Sequence, residues 1–184
     1  MSILSTKTAI DAGLLVFPPG GSSFPARQNR PLPFLIDSRG AGTNLALRKL
    51  IVDELTAKLS NVTDFDVIAA IAKAGTIWAA WLAWVANSPY ATVHIGGPRS
   101  SGLQRAVEGD INCKRVLLID NWIRSGASMV KAVDVVTQAG ATPIGALTIV
   151  TDGVADLEIP LNAVWHIDEL LATAGVTMAG AQQS

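Results

Sequence analysis

The chain has 184 residues, of which 49% are hydrophobic and 16% charged, and its formal net charge is −1. That length suits one domain with a sizeable core, and the apolar content excludes general disorder and favours a buried sheet with an oligomer interface. No basic block is present, which argues against nucleic-acid binding through phosphates, and the single cysteine, Cys113, has no internal disulfide partner, in keeping with the cytoplasm.

The opening segment, MSILSTKTAIDAGLLVF, lacks a basic start and a long apolar run, so no signal peptide is expected. Gly20 to Pro33 is a Pro/Gly/Ser/Arg-rich loop. Leu45 to Leu59 predicts an amphipathic helix with Leu47, Leu50, Ile51 and Leu55 as its apolar stripe and Asn44 as its N-cap. Asp66 to Ile71 predicts a strand, and a small-residue turn follows from Ala72 to Thr76. Ile77 to Asn87 predicts a helix that is apolar nearly all round, as expected of burial on more than one side. The most membrane-like run, 74–86, is too short for a span, which needs about 20 residues.

Ala91 to Ile95 predicts a further strand, and Gly96 to Gly109 a mobile polar loop. Arg115 to Asp120 predicts a buried strand, Asn121 to Ser128 a turn, and Met129 to Ala139 a helix stopped by Gly140. Strands at Pro143 to Val150 and Ala163 to His166 and a helix at Asp168 to Ala174 complete the series. Strand and helix alternate throughout. The expected fold class is α/β: a doubly wound, mostly parallel sheet with helices on both faces, binding ligands at the carboxyl ends of its strands. No repeat interrupts it, and one domain over 1–184 is expected.

The stretch RVLLIDNWIRSGASMV carries the chemistry. An apolar strand ends in an acid, Asp120, followed by Arg124, Ser125, Gly126, Ala127 and Ser128 at the start of a helix. Small residues let backbone N–H groups approach an anion, the two serines add hydroxyl donors, and a helix N-terminus adds positive potential. Asp120 is suited to accept hydrogen bonds from ribose hydroxyls. The spacing alone fits an ordinary capped strand–turn–helix equally well. His94 and His166 show no metal-ligand spacing, no metal site of the protein's own is expected, and Cys113 has no activating neighbour.

As a pattern, Val116 to Ser128 resembles the 5-phosphoribosyl 1-pyrophosphate (PRPP) motif of type I phosphoribosyltransferases. Val116 to Ile119 match the strand, Asp120 the first acid, and Ser125 to Ser128 the 5′-phosphate loop; Asn121 replaces the second acid. Further matches resemble orotate phosphoribosyltransferases. Phe24, Arg27, Arg30, Pro33 and Asp37 fall where that family has Phe, Lys, Arg, Pro and Asp. Ala70 to Ala80 resembles its pyrophosphate loop and following helix, Gly102 and Glu108 to Asp110 parts of its catalytic loop, and Asp152 with AVWHIDELLATAG its closing strand and helix. The resemblance implies the type I phosphoribosyltransferase fold, with residues 1–40 as a small N-terminal hood and 41–184 as the core. It implies transfer of ribose 5-phosphate from Mg²⁺-bound PRPP to orotate or another small base, with release of pyrophosphate, by a homodimer.

In that reading Arg27, Arg30, Lys73 and Arg99 hold pyrophosphate oxygens, Asp120 and Asn121 the ribose, and Ser125, Gly126, Ala127 and Ser128 the 5′-phosphate. Arg99 is the one cation surviving in the family's catalytic loop, whose other matched positions hold Ile95, Gly96 and Ser101. The family's base-reading Thr and Arg are replaced by Arg124 and Gly153. Arg124 either binds an anionic group of the base from the opposite wall or points into solvent with the base pocket lost. Arg27, Arg30, Lys73 and Arg99 have the alternative of solvated surface charges, and Trp78, Trp81 and Trp84 are core or subunit-contact residues. Three functions stay open: an enzyme, a non-catalytic PRPP- or nucleotide-binding regulator, and a structural homodimer with a vestigial site.

Overall fold

The computed structural model describes residues 3–25, 32–153 and 157–176. It divides into two compact units, residues 1–50 with 165–184, and residues 51–164. The second holds the candidate site. Among the described residues no helix is long and apolar enough to cross a membrane.

In the first unit, α1 (Ile3–Asp11) contacts α5 (Ile167–Thr173). The buried Thr6 hydroxyl donates to Glu169 at 2.8 Å. Strands β1 (Leu15–Val16) and β2 (Leu35–Ile36) pair antiparallel. None of α1, β1 and β2 was among the expected elements, because each is short and weakly patterned. Helix α2 (Leu45–Leu59) starts in this unit with the bounds and cap expected of it: the Leu47 N–H donates to Asn44 Oδ1 at 3.1 Å. Its buried stripe is Leu47, Ile51, Leu55 and Leu59.

The second unit is built on a six-stranded sheet in the order β5-β4-β3-β6-β7-β8, which β8 (Leu161–His166) closes at one edge. Strands β3 (Val67–Ile71), β4 (Tyr90–Val93), β6 (Arg115–Ile123) and β7 (Thr142–Thr151) pair parallel, and the short β5 (Val107–Glu108) pairs antiparallel with β4. Every residue of β3 is buried, as a strand covered on both faces requires. Side chains alternate across the sheet. Val67, Ala69, Ile71, Val116 and Leu118 pack with Met129, Ala132 and Val136 of α4 (Ala127–Gln138). The intervening Ile68, Ala70, Leu117 and Ile119 are equally buried.

The chain leaves β3 toward β4 through α3 (Thr76–Val85) and leaves β6 toward β7 through α4, in opposite directions along the sheet. Right-handed crossovers therefore put α3 and α4 on opposite faces. The doubly wound expectation is met, and β3 and β6 flank the point where strand order reverses. At the other end of this strand pair, Arg115 clamps it: its side chain donates to both carboxylate oxygens of Asp66, at 3.2 and 3.1 Å. The guanidinium and the Arg115 backbone N–H hold the Asp66 carboxyl down at about 2.

Helix α3 departs from expectation. Trp78 and Leu82 are fully buried, but Trp84 is 86% exposed and Val85 54%. Within one chain this apolar helix buries only one face.

The turn between β3 and α3 depends on Gly75. A Cβ there would lie 2.5 Å from the Ile119 carbonyl oxygen, 2.9 Å from that of Ile71 and 3.1 Å from Asp120 Cα. All three are backbone atoms of a packed sheet and cannot yield. Gly75→Ala is expected to destabilise the protein by about 1–3 kcal/mol in urea unfolding, while Gly96→Ala, made in open space, shifts it by less than about 0.5 kcal/mol. Equal effects of the two substitutions would contradict the close approach.

Candidate active site

The parallel pairing of β4, β3, β6 and β7 sends the segments after all four strands out of one sheet edge. Those segments contain Lys73, Arg99, Arg124 to Ser128, and Asp152 with Gly153. The two halves of the expected site thus meet at the strand-order reversal, where open α/β sheets bind ligands.

Strand β6 does not end at Asp120 as expected. Its ladder with β7 continues through Asp120↔Thr148, Trp122↔Val150 and Ile123↔Thr151. Backbone pairing to β7 carries the polar Asp120 and Asn121 within the strand. The turn is correspondingly shorter than expected, and Ala127 and Ser128 are the first residues of α4 rather than loop. Gly126 precedes them at φ 75°, a left-handed conformation that suits glycine. It offers no side-chain oxygen, and the first turn of α4 contains no acid. The opening N–H groups of α4 therefore carry no side-chain cap, and the exposed Ser125 and Ser128 flank them. A dianionic phosphate matches those donors and the positive end of the helix dipole.

Asp120 is 8% exposed. Burial pushes its carboxyl up to about 6, partly offset by the Asn121 N–H, which donates to Oδ1 at 2.8 Å. A buried carboxylate short of donors is an acceptor awaiting hydroxyls. Its Cα is one of the atoms against which Gly75 packs, so the Ala72 to Gly75 turn lies at its backbone. Lys73 is exposed on that turn, after a cis Ala72–Lys73 peptide. Among the described residues no three His, Cys, Asp or Glu side chains converge as a metal site.

Arg99 lies between β4 and β5 and is already paired: its Nη1 donates to Glu108 at 3.0 Å. His94 Nε2 stands 3.8 Å from the same carboxylate, beyond hydrogen-bond distance, and has no hydrogen-bond partner among the described residues. The expected polar loop is in part a hairpin, with the His94 N–H on the Ala106 carbonyl at 2.8 Å. Arg124 and Gly153 do come side by side, because the Asp152 N–H donates to the Ile123 carbonyl at 3.0 Å. Arg124 is not simply solvated. Its Nε is 3.7 Å from Asp152 Oδ2, and its Cζ is 5.1 Å from the Trp122 ring centroid. Trp122 Nε1–H donates to Asp152 Oδ1 at 2.6 Å. Arg27 and Arg30 lie outside the described residues.

Sequence reasoning passed over Glu108 as the partner of Arg99, and Trp122 and Asp152 as partners of Arg124. Only the acid–cation complementarity within each loop hinted at them.

Residues 43–178 match the model of the phosphoribosyl transferase domain. The chain belongs to the phosphoribosyltransferase family. It is 30% identical over 142 residues to the orotate phosphoribosyltransferase of Pyrobaculum calidifontis, covering 77% of this chain and 71% of that one. With the orotate phosphoribosyltransferase of Sulfolobus acidocaldarius it shares 24% identity over 171 residues, 90% of this chain and 84% of the relative. In fold it is similar to the orotate phosphoribosyltransferase of Aeropyrum pernix, with TM-score 0.78 at 23% identity over 92% of this chain and 97% of that one. It is also similar to the adenine phosphoribosyltransferase of Saccharomyces cerevisiae, with TM-score 0.68 at 16% identity over 88% and 99%. This phosphoribosyltransferase-family chain therefore has the type I fold, and the expected resemblance to the orotate enzymes holds.

Asp120 makes stability depend on pH. Its folded pKa lies above the ordinary aspartate value, so the folded state binds the extra proton, and stability falls as pH rises through that window. The loss is complete above about pH 6. Asp120→Asn removes the titration. The stability of the variant relative to the parent is expected to rise by about 2–3 kcal/mol between about pH 4 and about pH 7. A pH-independent difference would show that Asp120 titrates normally.

Proposed function

We propose that this protein transfers ribose 5-phosphate from PRPP to a ring nitrogen of orotate or another small base and releases pyrophosphate. The observation that carries the reading is the juxtaposition of the buried Asp120 with the uncapped start of α4, across a strand reversal that also gathers the Lys73 turn.

The 5′-phosphate sits on Ser125, Gly126, Ala127 and Ser128 and receives the first N–H groups of α4. Asp120 and Asn121 take the ribose hydroxyls, and those donors favour the charged form of Asp120. Lys73 holds the pyrophosphate, and Arg99 joins it on exchanging Glu108 for a phosphate oxygen. By resemblance, Arg27 and Arg30, which lie outside the described residues, are further candidates for contacting pyrophosphate oxygens. Mg²⁺ entering with the substrate would offset the negative charge of the leaving pyrophosphate. The base nitrogen attacks C1′ as the bond from C1′ to the pyrophosphate oxygen breaks, and the nitrogen's proton passes to solvent or to the departing pyrophosphate. Positive charge develops on the ribose ring, and the electron pair leaves with pyrophosphate. The Asp120 carboxylate stabilises that charge most where water is excluded. Arg99 cannot give up a proton, so its task is neutralising the leaving group. The base lies on the Arg124 side.

A homodimer in the cytoplasm completes the proposal. The exposed Trp84 and Val85 of α3 supply apolar surface for a second copy.

The test is orotate depletion with PRPP and Mg²⁺ present, with pyrophosphate measured in parallel. One pyrophosphate is expected per orotate consumed, and Arg99→Ala should slow turnover by about tenfold or more. PRPP binding without loss of orotate would favour the second reading, a non-catalytic PRPP-binding regulator, which the pairing of Arg99 with Glu108 supports.

A further inference from the structure

We propose that Trp122, Asp152 and Arg124 form a built reader for an anionic group on the base, with Arg124 making the contact and the other two as positioning residues. This inference rests on the transferase reading above.

The guanidinium is held on two sides. Its Nε edge faces Asp152 Oδ2 at 3.7 Å, and its Cζ lies 5.1 Å from the Trp122 ring centroid. Asp152 is itself held, because Trp122 Nε1–H donates to its other oxygen at 2.6 Å. Trp122 therefore fixes the carboxylate and provides a surface for the cation that the carboxylate attracts. Both η nitrogens of Arg124 remain without a partner among the described residues. A planar pair of N–H donors, presented with one edge anchored, matches a carboxylate in bidentate fashion. Anchoring lowers the side-chain entropy lost on binding, which a freely solvated arginine would give up in full.

Location supports the same use. Arg124 directly precedes Ser125, and the register Ile123↔Thr151 puts Asp152 just past the last rung of the ladder, at the ligand-binding edge. A neutral base would leave the η donors facing it unmatched, whereas a carboxylate would satisfy them.

The experiment compares two nucleotides that differ only in the base carboxylate, orotidine 5′-monophosphate and uridine 5′-monophosphate, by calorimetric titration. The parent protein is expected to bind the carboxylate-bearing nucleotide at least about tenfold tighter. Arg124→Ala should abolish that preference while leaving uridine 5′-monophosphate affinity within about twofold. Trp122→Leu and Asp152→Asn should each reduce the preference at least about threefold, and Trp122→Phe, which keeps an aromatic face but loses the N–H that holds Asp152, should fall between Trp122→Leu and the parent. Affinity for uridine 5′-monophosphate reports whether each variant is folded. Three results would overturn the inference alone: equal binding of the two nucleotides by the parent, an Arg124→Ala variant that weakens both equally because the arginine holds the phosphate, or a preference insensitive to Trp122 and Asp152. Binding of neither nucleotide would overturn the transferase reading with it.

Discussion

The site depends on one close approach between backbones. Gly75 brings the turn after β3 against the Ile119 carbonyl and the Cα of Asp120, nearer than any side chain allows. Strands β3 and β6 are neighbours from which the chain winds in opposite directions, so the helices that follow them diverge to opposite faces. A crevice opens between them, and the missing side chain of Gly75 lets the first turn line it. The burial of Asp120 and the position of the Lys73 turn both follow from this packing.

Around that crevice the protein keeps features that lower its stability. Asp120 is buried with too few donors, and burial, only partly offset by the Asn121 N–H, pushes its carboxyl up to about 6. Helix α4 begins at a left-handed glycine with neither a capping side chain nor a first-turn acid. An acid within that first turn would favour the fold, since the helix dipole rewards negative charge there. A substrate bearing a phosphate and ribose hydroxyls satisfies both deficits at once. Locally unfavourable choices that one ligand resolves together are what a preorganised site looks like.

Much of the fold was legible in the sequence because its signals are periodic. The stripe of α2 and its Asn44 cap, the apolar runs of β3 and β6, and the stop at Gly140 all follow from spacing and residue chemistry. The site was legible where it is contiguous, from Asp120 to Ser128. What was missed is long-range or short. Strand β6 runs past Asp120 because β7 pairs with it, and no local pattern reports the length of a partner strand. Asp152 lies 30 residues beyond Trp122, so their bond is a product of register. The pairing of Arg99 with Glu108 needs the antiparallel return of β5 onto β4. The exposure of Trp84 was hidden by a helix whose apolar residues surround its axis, leaving no periodic sign of which face is buried.

The central claim is that the start of α4 is kept open for a phosphate at some cost to the helix. The most direct measurement is titration with ribose 5-phosphate alongside thermal unfolding, for the parent and for Ser128→Asp. An acid in the first turn should stabilise the helix by about 0.3–1 kcal/mol and raise the melting temperature, while repelling the phosphate. The account predicts a more stable protein that binds ribose 5-phosphate at least about tenfold more weakly. Unchanged binding in a stabilised variant would contradict it, and would show that the phosphate is not held at this helix.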